Sequence, residues 1–88
     1  MAKFMCTHTI PPGKFSAEQL RQFAQAAQQD QSVKGYRSFA NLAEGKAVCV
    51  MEAANQDAIA AWFTKMGMPF DSITKVELEG ERGNIQAA

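Results

Sequence analysis

The sequence predicts an α+β domain that runs β-α-β-β-α-β, a four-stranded antiparallel sheet with both helices on one face. Two observations carry this reading: two apolar stripes at helical spacing, each behind a capping residue, and four short strand-like runs, of which the second and third abut as a hairpin. The chain has 88 residues, 47% of them hydrophobic and 20% charged, so it has room for one core and no second domain. The domain is expected over 1–79, with 80–88 a polar tail or dimer-contacting arm.

Lys3 to Ile10 reads as the first strand, closed by Pro11-Pro12-Gly13. Side chains alternate along a strand, so Phe4, Cys6, His8 and Ile10 share one face. Ser16 to Gln19 has the form of a capping box, and Leu20, Phe23, Ala24 and Ala27 follow as one narrow stripe. Glutamines fill the wet side of that helix. Asp30 to Gly35 is expected as a connection, Tyr36 to Leu42 as the second strand and Ala43 to Lys46 as a turn. Gly45 is the residue free to take a positive φ there. Ala47 to Ala53, apolar almost throughout, reads as a central third strand covered on both faces. Asn55 caps a second helix carrying Ile59, Trp62, Phe63 and Met66, which Gly67 ends and Pro69 keeps from resuming. Ile73 to Leu78 is the expected fourth strand, with Val76 and Leu78 toward the helices.

This order is the split-βαβ signature of a ferredoxin-like fold. Right-handed crossovers place the first and third strands side by side in the middle of the sheet. One sheet face is then left open, and Phe4, Val48 and Val50 are expected on it. A homodimer that pairs two such faces would cover them.

Nine basic residues balance nine acidic ones. With no charged block in either half, nucleic acid and an anionic membrane surface are not expected partners. No apolar run approaches the ~20 residues that span a bilayer, and the first residues do not have the pattern of a signal peptide. Two cysteines without a leader suggest the reducing cytoplasm rather than a disulfide scaffold. Cys6 and Cys49 are expected on opposite sheet faces, and so unable to bridge.

Cys6-x-His8 is the most chemical feature. Two strand residues of equal parity can bring a thiolate and an imidazole onto one ion; the plain alternative is a buried cysteine beside a hydrogen-bonded histidine. Glu52, of equal parity with Val48 and Val50, is a candidate ligand or general base on the open face, or simply a strand-end charge. Cys49 is expected under the helices as packing. Tyr36 and Arg37 are candidates to orient a small anion, and Met68 lies on a loop, free to face a site. Glycine-rich phosphate loops, CxxC and HxxxH are absent, which removes the usual nucleotide, thioredoxin-like and zincin chemistries.

Lys3-Phe4-Met5-Cys6-Thr7-His8, Cys49-Val50-Met51-Glu52-Ala53, and Gly67-Met68-Pro69 through Ile73 and Val76 fall in one order. In that order the chain resembles a family of small ferredoxin-like proteins that includes nickel-binding members and forms dimeric α/β barrels. The resemblance spans Lys3 to Leu78. It implies that His8 stands where the nickel-binding group tends to carry a histidine, Glu52 at a recurrent glutamate and Cys49 at a recurrent cysteine. Cys6 stands where that group often has an acidic residue, and Met68 where some members have histidine. Both departures exchange harder donors for sulfur, which shifts the expected metal toward softer ions. The expectation is a small dimeric metal-binding protein for copper, nickel or zinc, serving sequestration or sensing, with His8, Cys6, Glu52 and Met68 as ligands. The alternatives are a dimeric-barrel enzyme of cofactorless oxygenase or isomerase type, acting on a small molecule, and a module without chemistry.

Overall fold

The computed structural model describes residues 1–88, and eight elements follow one another in it. They are β1 (Ala2–Thr9), α1 (Ala17–Gln29), β2 (Val33–Asn41), β3 (Lys46–Ala53), α2 (Gln56–Met66), β4 (Ser72–Lys75), β5 (Leu78–Glu81) and β6 (Asn84–Ala87). The first four-stranded sheet has the order β2-β3-β1-β4, every neighbouring pair antiparallel, and β5-β6 form a separate hairpin. No helix is long and apolar enough to cross a membrane.

Local chemistry sets the helix ends. The Gln19 N–H donates to Ser16 Oγ at 3.2 Å and the Ser16 N–H to Gln19 Oε1 at 2.8 Å, closing the capping box of α1. Asn55 Oδ1 accepts from the Ala58 N–H at 2.9 Å at the start of α2. Gly67 ends α2 at φ 71°, the left-handed conformation that costs glycine least. From α2, Ile59, Trp62 and Phe63 are buried against Phe4, Cys6, Met51, Ala53 and Ile73 of the sheet. Each large apolar side chain so covered contributes about 1.5–3 kcal/mol. The α1 helix sits less tightly, with Ala27 its one buried residue.

Four expectations need correction. β1 is turned over: Phe4, Cys6, His8 and Ile10 face the helices, and Met5, Thr7 and Thr9 face outward. The more apolar row goes under the helices, and His8 can join it because both ring nitrogens find partners there. Phe4 is therefore core, and the open face carries Met5, Val48, Val50 and Phe39 instead. Cys6 and Cys49 are direct partners in the β1–β3 register, on one face and not on opposite faces, and both thiols are free. β2 begins at Val33, which is fully buried, inside the stretch expected as a connection. β4 stops at Lys75, so Leu78 is exposed in the hairpin rather than held under the helices, and the segment expected as a tail or arm is itself folded.

Candidate functional site

His8 lies near the end of the central strand β1, buried beneath α2, its ring perpendicular to that of Phe63 with 5.0 Å between centroids. Its Nδ1 is 2.7 Å from the Pro69 carbonyl and its Nε2 is 3.3 Å from Cys49 Sγ. A carbonyl can only accept, so Nδ1 carries the hydrogen and Nε2 is the atom turned to sulfur. The bend that Gly67, Met68 and Pro69 make after α2 supplies that carbonyl. Met68 is anchored by its N–H donating to the Phe63 carbonyl at 2.9 Å.

Cys49 comes from the middle of β3, and Cys6 lies directly across from it, fully buried, with its thiol 3.7 Å from the Phe4 carbonyl. The electrostatics divide the two sulfurs. The Cys6 thiol beside Cys49 lowers the Cys49 pKa to about 6; burial opposes the shift and the His8 contact reinforces it. Cys6 is pushed up, by the neighbouring Cys49 sulfur first and by burial second. Burial is the largest influence on His8 and lowers it, but the hydrogen bonds to Cys49 and the Pro69 carbonyl together carry it above its ordinary value. These directions favour a thiolate at Cys49 paired with an imidazolium at His8, while the one Cys6 S–H is directed to the Phe4 carbonyl.

A cavity of about 380 Å³ opens beside this pair, between α1, α2 and the sheet. His8, Cys49 and Met68 line one part, Leu20, Phe23 and Trp62 another, and 15 of its 20 lining residues are hydrophobic.

Of the four ligands expected from sequence, the structure brings Cys6, His8 and Met68 to the helix-covered side of the sheet and leaves Glu52 on the other. Glu52 pairs across the strands with Lys3 and Lys34. No three His, Cys, Asp or Glu side chains converge. Tyr36 and Arg37 reach the cavity's rim, but the Tyr36 ring carries the Lys3 ammonium at 4.1 Å and the Arg37 guanidinium lies 5.4 Å from the Phe39 ring. The residue missed was Cys49. Its signal was the register: once β1 is turned over, the cysteines of the two central strands must meet.

A family model described as "SCO4226-like: Nickel responsive protein SCO4226-like" matches residues 4–76. Among solved structures, the chain is similar to that of SCO4226 from Streptomyces coelicolor A3(2), with 28% identity and a TM-score of 0.75. The likeness covers 90% of this chain and 100% of that one. No curated protein matches the sequence.

Proposed function

The chain belongs to the SCO4226-like family of nickel responsive proteins, and from that premise we propose that it binds a soft or borderline metal ion, nickel, copper or zinc, for sequestration or sensing. The observation that carries the reading is the pair His8 Nε2 and Cys49 Sγ at 3.3 Å. Nitrogen and thiolate ligands at about 2.0–2.3 Å from one ion, subtending about a right angle or slightly more, stand about 3.1–3.5 Å apart. The separation of the two donors thus matches that of two ligands on one ion, once the ring turns its Nε2 from the sulfur to the metal. Met68 on the same cavity wall offers further sulfur, Cys6 stands behind Cys49 and outside the donor pair, and nitrogen and sulfur donors disfavour magnesium and calcium, which want oxygen. Glu52 is not part of the set within one chain. The free thiols suit the reducing cytoplasm.

The strand order β2-β3-β1-β4 supports a ferredoxin-like domain over 1–79. Its apolar open face supports pairing with a second copy as a dimeric α/β barrel, with 80–88 as an arm. Calorimetry on reduced protein tests the metal reading with nickel, cuprous and zinc ions. Binding should be lost in His8→Ala and Cys49→Ala and retained in Glu52→Gln; equal affinity in wild type and His8→Ala sinks it.

One observation favours a second reading, an enzyme of cofactorless oxygenase or isomerase type. The cavity beside His8 and Tyr36, about 380 Å³, falls within the ~300–1,000 Å³ of small-molecule sites. Metal-free protein as purified, stabilised against heat by small aromatic compounds, would favour this reading over the first.

A further inference from the structure

Cys49 borders the apolar cavity and has around it the neighbours that chemistry at sulfur requires. His8 Nε2 stands 3.3 Å from its Sγ, and the ring is held by Nδ1–H donating to the Pro69 carbonyl at 2.7 Å. A nucleophile, a base and a group orienting the base are thus in line. The fourth partner is Cys6. The Ile10 N–H donates to the Gly45 carbonyl at 2.8 Å, while Asp71 and Val76 bond to Thr7 and Lys3. Even-numbered residues of β1 therefore turn their backbone groups to β3 and odd-numbered ones to β4. Cys6 and Cys49 form a hydrogen-bonded cross-strand pair, whose Cα atoms lie about 5.5 Å apart. Disulfides close across Cα separations of about 4.4–6.8 Å, and closure here draws the two Cβ atoms, about 5 Å apart in such a pair, in to about 3.5–4.5 Å. Cys6 is fully buried, so an oxidant arriving through the cavity meets Cys49 first.

We propose that Cys49 reduces organic hydroperoxides, with Cys6 as the resolving thiol and the apolar body of the peroxide in the cavity. Cys49 Sγ attacks the terminal oxygen of the hydroperoxide and the O–O bond breaks. The leaving alkoxide receives, through His8, the proton that Cys49 gave up, and departs as an alcohol. Cys49 is left as a sulfenic acid. The Cys6 sulfur then attacks the Cys49 sulfur, the S–O bond breaks, and the hydroxyl leaves as water with the Cys6 proton. Two electrons have passed from the thiols to the peroxide, and an external dithiol returns them by exchange with the disulfide. No metal takes part, so the activity stands or falls apart from the metal reading.

The test uses chelator-treated, fully reduced protein and one equivalent of cumene hydroperoxide. The two free thiols of the denatured chain should fall to none, the mass should drop by two hydrogen atoms, and one equivalent of the alcohol should appear. Cys49→Ser should leave the peroxide unconsumed, and Cys6→Ser should stop at a sulfenic acid on Cys49, captured by a cyclic dione. Hydrogen peroxide, which has no apolar body, should react at least about tenfold more slowly. Thiols that survive in the wild type, or a sulfenic acid formed on Cys6 instead, would overturn the proposal. Equal rates for the two peroxides would overturn the assignment of the cavity as the substrate site.

Discussion

At Cys49 one side chain carries two opposed tendencies, since burial favours the thiol and its neighbours favour the thiolate. The neighbours win: the Cys6 thiol and the His8 ring bring its pKa to about 6. Cysteine in the unfolded chain ionises near 9.0, so the ionised form contributes stability that is present above that value and lost as pH falls through about 6. His8 runs the other way. Raised above 6.5, it contributes stability present below that value and lost as pH rises through its folded pKa. From 6.5 up to the raised His8 pKa or 9.0, whichever is lower, the folded pair holds its one proton on the imidazole and the unfolded chain holds one on the thiol, so the two contributions cancel and stability is level over that interval. Alkylation of Cys49 in the native protein should accordingly follow a midpoint near about 6, and Cys6→Ala should raise it. A native midpoint in the ordinary thiol range would show that the pair is not formed. Cys6-x-His8 made half of this site legible in the sequence. Cys49 was not legible as a partner because the face of β1 was misread: Phe4 was set on the open face with Val48 and Val50, which carried Cys6 and His8 outward with it, whereas two hydrogen bonds let His8 be buried. Glu52 looked equally chemical, but strand alternation puts it across the sheet from His8.

Among the elements, the strongest sequence signals came from caps and turns. Ser16 with Gln19, Asn55, and Gly67 each fix a backbone group in a way few other residues can, and the helices start and stop where those residues say. The β2–β3 hairpin is tied to the end of β1 through the Gly45 carbonyl, which accepts from the Ile10 N–H at 2.8 Å. Gly45 has φ 71°, and a Cβ there would run into the Ile10 carbonyl. Gly45→Ala should therefore cost about 1–3 kcal/mol, from the strained backbone and the displaced neighbour together. Chemical denaturation should show an earlier midpoint with an unchanged slope; unaltered stability would mean that the hairpin does not lean on Ile10. The β5–β6 hairpin was illegible for the converse reason. Its two turn residues, Arg82 at φ 51° and Gly83 at φ 88°, have the two positive φ values of a type I′ turn, whose usual sequence signal is Asn-Gly or Asp-Gly. Arginine in the first position hides the turn among polar residues.

For the molecule as a whole, the unresolved demand is the outer face of the main sheet. Helices cover the opposite face, while Met5, Phe39 and Val48 stay 43%, 62% and 38% exposed. They are neighbours: Phe39 pairs with Val48 and Met5 with Val50 across adjoining strands. A second copy would meet this demand with the same surface turned through a two-fold axis, each apolar residue then finding apolar residues opposite it. A stable interface takes about 800 Å² from each partner, roughly one part in seven of the 5815 Å² that the chain exposes. The hairpin reaches the same side through Glu79 of β5, which Lys3, an outward residue of β1, holds at 2.8 Å. Its Leu78 and Ile85, on the hairpin face opposite Glu79, are exposed at 65% and 68%. Zero net charge puts no repulsion between copies. Light scattering at micromolar concentration should give twice the 9.6 kDa of the chain. Val48→Lys, at the centre of the patch, should reduce it to the single-chain mass, because it would bury two like charges against each other. The site behind the sheet should survive this change, since His8, Cys49 and Met68 all lie on the other face. A dissociated Val48→Lys protein should keep the Cys49 alkylation midpoint of the wild type. A wild type that scatters as a single chain would leave the outer face open, with some other partner to cover it.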